Sequence, residues 1–309
     1  MPDIVVMFFM LGLIAGVVKS DLEIPKAAYD VMSLLLMLII GLKGGMALHD
    51  TLGWHLMPEL IGIACLGFVI PAMLYPILRK VIRLNLADSI SFSAHYGSVS
   101  AGTFAVALAY TESKSMAIGG QETLYLVLLE LPAILFGLIL FKKLSSQKER
   151  SSYTHIVHEA LTNRSVILLV GGVVIGSLYG PIQGAAVTDL YTTAFKGVLA
   201  LFLLEMGLVA SNALLKVTFD KWRIVLFSLF MPPILALLGI QVGQLIGLPN
   251  GSILILACLT ASASYIAAPA AIRAAIPQAD IGLVMLASLG LTFPFNVLIG
   301  IPLYHSWIS

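Results

Sequence analysis

Nearly all of this 309-residue chain consists of apolar runs long enough to cross a lipid bilayer, joined by short connections. A helix rises 1.5 Å per residue, so about 20 apolar residues cover the hydrocarbon core. On that rule ten spans are expected, near 4–18, 28–48, 58–78, 87–110, 122–141, 165–180, 188–210, 223–246, 251–273 and 281–304. Hydrophobic residues make up 59% and charged residues 11%, too little polar surface to coat a soluble domain. The expected class is an all-α integral membrane protein, multi-pass, with the lipid bilayer as its main surroundings. A net charge of +1 gives no sign of nucleic-acid binding. The N-terminal segment has no basic n-region and no small-residue cleavage site, so it is expected to be a first span rather than a signal peptide. Cys65 and Cys258 lie far apart in apolar runs and read as small lipid- or core-facing residues.

Lysine and arginine placement sets the expected orientation. With the N-terminus outside, one side collects Lys19, Lys26, Arg79, Lys80, Arg83, Arg164 and Arg273 among others, while Lys114 alone stays on the other. Both termini are therefore expected outside the cytoplasm, in a cell (inner) membrane. The two halves also resemble each other at an offset near 160 residues. Gly12 and Gly16 match Gly172 and Gly176, Gly44-Gly45 matches Met206-Gly207, Ser98-Val99-Ser100 matches Ser262-Ala263-Ser264, and Leu131-Pro132 matches Phe293-Pro294. Five spans per half is odd, so the second copy would lie upside down. The expected organisation is a first five-helix repeat over 1–141, a cytoplasmic connector over 142–164 and a second, inverted repeat over 165–309. The connector reads as solvated, with a docking site for a regulator as the alternative.

Two stretches contradict the apolar pattern around them. His95 to Thr103 and Thr260 to Pro269 are rich in Gly, Ser and Thr where the fourth and ninth spans should be most apolar. Gly97 and Gly102 tolerate unusual backbone angles, and Ser98, Ser100 and Thr103 can satisfy freed backbone groups. The fourth helix is thus expected to break, with a second half starting near Thr103 and running through Tyr110. In the ninth, the first half should end near Ser262 and Pro269 should open the second. Discontinuous helices at matching places in two halves point to the binding site of a transporter. The N-termini of the second halves favour an anion, and carbonyl and hydroxyl oxygens of the first halves suit a sodium ion. The bland alternative is that these small residues only serve tight helix crossings. Glu130, Glu205, Lys43 and Lys196 also fall within spans, where ionisable groups are usually paired or functional. His95 reads as a hydrogen-bonding structural residue ahead of a proton carrier, and Trp54, Trp222 and Trp307 as interface anchors.

GLKGGMAL (41–48), GSVSAGTFAVALA (97–109), the Leu-Pro of LELPAI (129–134), MGLVA (206–210) and SASYIAAPAAIRAAIP (262–277) together resemble the sodium-dependent bicarbonate transporters of the cyanobacterial SbtA type. The resemblance covers nearly the whole chain. It implies ten transmembrane helices in two inverted repeats of five, discontinuous helices 4 and 9 crossing at the substrate site, a homotrimer, elevator-like motion and sodium-coupled uptake of bicarbonate. It also implies a PII-like regulatory partner on the cytoplasmic face. Carried over onto matching positions, Ser98, Ser100, Gly102, Thr103, Ser262 and Ser264 line the site. Gly97, Ala101, Ala263, Ala268 and Pro269 complete the expected substrate-binding set, and Ser98, Thr103, Ser262, Ser264 and Tyr265 the expected sodium set. No cofactor is expected beyond sodium as the coupling ion. The chain departs from the family pattern where Ala263 interrupts the serine run and Tyr265 stands in place of an aspartate, which removes a natural sodium ligand. Its cytoplasmic connector is also shorter than in many of those proteins.

Two other readings compete. A carrier of another small organic anion, similar to the bile-acid symporters, would break the same two helices. An intramembrane serine hydrolase would use Ser98 or Ser100 with His95, but those residues share one helix and no acid stands beside them in sequence. A transporter rather than an enzyme is the expectation.

Overall fold

A computed structural model describes residues 3–49, 53–145, 158, 162, 164–215 and 218–308. Among the described residues the chain is helical without strands. The helices are α1 (Ile4–Val17), α2 (Lys26–Leu48), α3 (Met57–Ile82), α4 (Leu86–Gly97), α5 (Ala101–Ser113), α6 (Glu122–Leu144), α7 (Arg164–Gln183), α8 (Ala185–Leu214), α9 (Trp222–Ile246), α10 (Asn250–Thr260), α11 (Ala267–Ala275) and α12 (Ile281–Ile308). Seven of them (α2, α3, α6, α7, α8, α9 and α12) are long and apolar enough to cross a membrane. The fourth and ninth expected spans are each two helices, α4 with α5 and α10 with α11, as the small polar stretches predict. Most of the connector expected over 142–164 lies outside the described residues, and so does any docking site on it.

Helix packing divides the described elements into two groups that cut across the two halves of the sequence. In one, α2 lies along α7 and α1 along α8. In the other, α3, α4 and α6 pack with one another, α5 packs on α10 and α12, and α9 to α12 complete the group. Apolar side chains give no net drive to helix association in lipid, so close backbone approach has to supply it. Glycine supplies it here. A Cβ at Gly172 would stand 2.9 Å from the Gly41 Cα, and one at Gly176 would strike the region of Leu42 and Gly45. On α1 and α8, Gly12 abuts the backbone of Leu204 and Leu208, Gly207 abuts Phe9 and Leu13, and Gly16 faces the Ser211 hydroxyl. The positions that match between the halves therefore serve equivalent seams: the first helix of each half rests on the second helix of the other.

Three tryptophans stand at helix ends, Trp54 just before α3, Trp222 opening α9 and Trp307 near the end of α12. Cys65 is exposed on the flank of α3 and Cys258 is buried in α10. Lys196 is exposed, whereas Lys43 reaches from α2 to Glu112 at the end of α5 (2.5 Å) and lies over the Phe195 ring of α8 at 4.5 Å. That pair joins the two packing groups at one end of the molecule. At the other end, Asp88 of α4 accepts from the Asn85 side chain (2.6 Å) and from the Asp280 backbone N–H (2.7 Å), which ties the start of α4 to the start of α12.

Candidate functional site

The two breaks meet. Ser98 and Ser100 leave α4 in extended conformation, and Ser100, at φ −103° and ψ 116°, caps α5 by accepting from the Thr103 N–H at 3.0 Å. The second half-helix thus starts at Ala101 and runs to Ser113, longer at both ends than the segment expected from Thr103 to Tyr110. The serine hydroxyl reaches the third N–H of the helix, so Ser100 rather than Thr103 marks its start. In the other break α10 ends at Thr260, whose hydroxyl donates to the Leu235 carbonyl of α9 at 2.9 Å. Ser264 then accepts from the Ala268 N–H at 3.1 Å at the head of α11. Pro269 is the third residue of that helix instead of the first, a place where no intrahelical donor is lost because the first four N–H groups have none.

Each break also holds the other. The Ser262 hydroxyl accepts from the Ser100 N–H at 2.8 Å and donates to the Leu259 carbonyl at 2.7 Å. The Ser264 N–H donates to the His95 carbonyl at the end of α4, again at 2.8 Å. All of these residues are buried, so the non-helical backbone is satisfied inside the protein, as it must be at membrane depth. Asn296 of α12 adds a third tie by donating to the Ala261 carbonyl at 2.8 Å.

A cavity of about 20 Å³ lies where the breaks meet, lined by Val99, Ser100, Ala101, Ser264, Tyr265, Ile266 and Ala267, with Met37 of α2 and Glu130 of α6 closing it. Of the residues named from sequence, Ser100, Ala101, Ser264 and Tyr265 are at this cavity. The others stand around it. Gly97 packs on the Pro71 ring, Gly102 on the Tyr265 hydroxyl, and Ser262 holds Ser100 from behind. Ser98 and Thr103 carry buried hydroxyls with no hydrogen-bond partner; Ala263 and Ala268 are buried in the core of the break. Pro269 faces a second, larger cavity of about 820 Å³. That vestibule runs between the two packing groups, with Tyr29, Asp30, Arg164 and Glu205 on one wall and Pro269, Arg273 and Met285 on the other. Tyr265 and Ile266 line both cavities and divide them. Arg164 is paired with Asp30 at 2.9 Å.

His95 is fully buried, with Nδ1 on the Ser91 carbonyl at 2.7 Å and no partner on Nε2. The contact of His95 is thus with a serine backbone carbonyl and not with a hydroxyl. Met37 had no sequence signal as a lining residue. Glu130 did, as a carboxylate inside a span, but only the passage of α6 beside both breaks places it at the cavity.

A model of one family matches residues 4–309. The chain belongs to the Na+-dependent bicarbonate transporter superfamily. This membrane protein is accordingly a transporter and not an enzyme. No curated protein matches it. The joined breaks are a polar, buried region of this transporter.

Proposed function

We propose that the transporter imports bicarbonate together with sodium, binding both where the two breaks meet. The observation that carries this reading is the reciprocal tie: α5 and α11 begin at one small cavity, a serine hydroxyl accepts from an N–H in the first turn of each, and each break is hydrogen-bonded to the other. The N–H groups of Ala101 and Gly102 in the first turn of α5 have no intrahelical acceptor and suit an anion. A cavity of about 20 Å³ leaves no room for a bile-acid-like anion.

The rest of the reading follows from the packing. The group built from α1, α2, α7 and α8 serves as the frame, and the group carrying both breaks moves against it as an elevator. The vestibule between the groups leads to Tyr265 from the side rich in lysine and arginine, which we take as cytoplasmic. The Lys43–Glu112 pair closes the opposite side. We read the two halves as inverted repeats of five spans, with both termini outside the inner membrane and three copies forming the assembly.

Labelled bicarbonate uptake into proteoliposomes tests this. An inward sodium gradient is compared with an equal choline gradient at fixed pH. Saturable, sodium-dependent uptake that is lost in Ser100→Ala and Ser262→Ala is expected. Correctly inserted protein that takes up no bicarbonate would overturn the substrate.

A further inference from the structure

A third cavity, of about 410 Å³, shares no lining residue with the other two. It opens in the seam between α1 of the first packing group and α5 and α12 of the second. One turn further along that seam, Phe9 of α1 meets Phe293 of α12 edge to face, with ring centroids 5.7 Å apart, and closes it. Most of the cavity wall is aliphatic: Val6, Val106, Val297, Leu298, Ile301 and Pro302. Its charged groups stand together at one end, where Asp3 immediately precedes α1 and Lys114 immediately follows α5, with Ser113 beside it. Val106 lies two turns before Lys114, so the cavity reaches about 12 Å along α5 from the charged rim into apolar depth. The two rim charges do not pair with each other. Asp3 uses one carboxylate oxygen to accept from the Val5 N–H at 3.0 Å, and among the described residues the other has no partner. Lys114 makes no ion pair among the described residues; its ammonium lies 5.8 Å from the centre of the Tyr110 ring, whose hydroxyl is hydrogen-bonded to His305 Nδ1 at 3.0 Å. An aliphatic slot thus ends at one available anion and one available cation beside the membrane surface, which fits an amphipathic molecule whose head carries both signs.

We propose that this seam binds one ethanolamine phospholipid, with its phosphate on Lys114, its ammonium on Asp3 and an acyl chain along the aliphatic wall. Lysine suits a phosphate as a compact point charge. A primary ammonium carries N–H donors for the free carboxylate oxygen of Asp3 and for the Ser113 hydroxyl, and such charge-assisted bonds are the strong ones. A choline head has no N–H to give, and a glycerol head brings no cation to Asp3. The bound lipid joins α1 to α5 and α12 where their own side chains leave a gap. Binding requires neither bicarbonate nor sodium, so it goes beyond the transport reading above and stands apart from it.

The test uses purified full-length protein stripped of lipid in detergent and titrated with dioleoyl phosphatidylethanolamine, phosphatidylcholine or phosphatidylglycerol. Bound lipid per chain is counted by native mass spectrometry, and thermal unfolding is followed in parallel. The wild type should hold one ethanolamine lipid at concentrations at least tenfold below those needed for the other two, with a midpoint that rises to saturation as the site fills. Asp3→Asn removes the charge but keeps the cap of α1, because Asn caps a helix as well as Asp does. It should cut the preference for ethanolamine over choline at least threefold. Lys114→Gln should need at least threefold more of the ethanolamine lipid. Leu298→Trp fills the slot and should lose the bound lipid; if that protein is not monodisperse, the two rim variants carry the test. Equal binding of the three lipids, or rim variants with the wild-type preference, overturns the site. A preference for phosphatidylglycerol that Asp3→Asn leaves intact also overturns it and assigns the seam to an anionic lipid.

Discussion

Gly97→Ala tests whether the break in α4 is held by packing from outside. Gly97 is the last residue of α4, and a Cβ there would lie 2.6, 2.8 and 2.9 Å from the Cδ, Cβ and Cγ of Pro71. Carbon atoms pack best from about 3.5 Å, so the nearest contact is roughly 0.9 Å too short. A proline ring inside α3 cannot swing away as a long side chain can, so α3 and α4 must move apart. Overpacking of this kind costs about 1–3 kcal/mol. The displacement falls on Ser98 to Ser100 and on the Ser100 N–H to Ser262 bond, so transport should suffer more than stability does. Thermal unfolding should show a lower midpoint, and uptake should fall at least tenfold at substrate saturation. Pro71→Ala removes the Cγ and Cδ and frees two of the three contacts. The double variant should therefore recover part of both losses, with a coupling of about 1 kcal/mol, in the range seen for residues in contact. Additive losses, or a Gly97→Ala protein with wild-type stability and uptake, would refute the argument.

Three further outcomes follow from contacts already described. Ser262→Ala leaves the buried Ser100 N–H without its acceptor and should lower stability by about 1–3 kcal/mol in chemical or thermal unfolding, while Ser262→Thr, which keeps the oxygen, should lose less. Glu112→Gln breaks the tie between α2 and α5 and should change the uptake rate several-fold. Lys43→Gln with Glu112→Gln should be milder than either change alone, and losses that simply add would argue against a pair that acts as a unit. Gly172→Leu puts a side chain into the backbone of α2 at Gly41 and should abolish monodisperse protein on size-exclusion chromatography, whereas Gly171→Leu, on a flank with nothing within 4 Å, should be tolerated.

The two breaks were legible because their residues are wrong for a continuous membrane helix, and no tertiary knowledge is needed to see it. Their caps were less so. Thr103 and Pro269 look like helix starts in sequence, but the deciding factor is which hydroxyl reaches a free N–H, and that depends on the extended backbone at Ser100 and on the turn after Ser264. The glycine seams were visible as matched positions, yet not as partners, because periodicity within a helix says nothing about which distant helix it meets. Glu130 shows the same limit. Its depth could be read, but its neighbours lie 30 residues away at Ser100 and more than 130 away at Ser264 and Tyr265. The division into two packing groups, which runs across the halves of the chain, left no local trace at all.

The glycine seams have a consequence for how the protein is made. Because α1 rests on α8 and α2 on α7, the first half of the chain enters the bilayer with both of its glycine-lined faces bare. At about 5–20 residues per second, their partners arrive roughly ten to thirty seconds later. During that interval the nascent half is an adhesive surface in lipid, and any second nascent copy offers it the same seam. Assembly of each copy with itself then depends on the second half being delivered promptly and tethered nearby. The connector does that work simply by keeping the two halves on one chain.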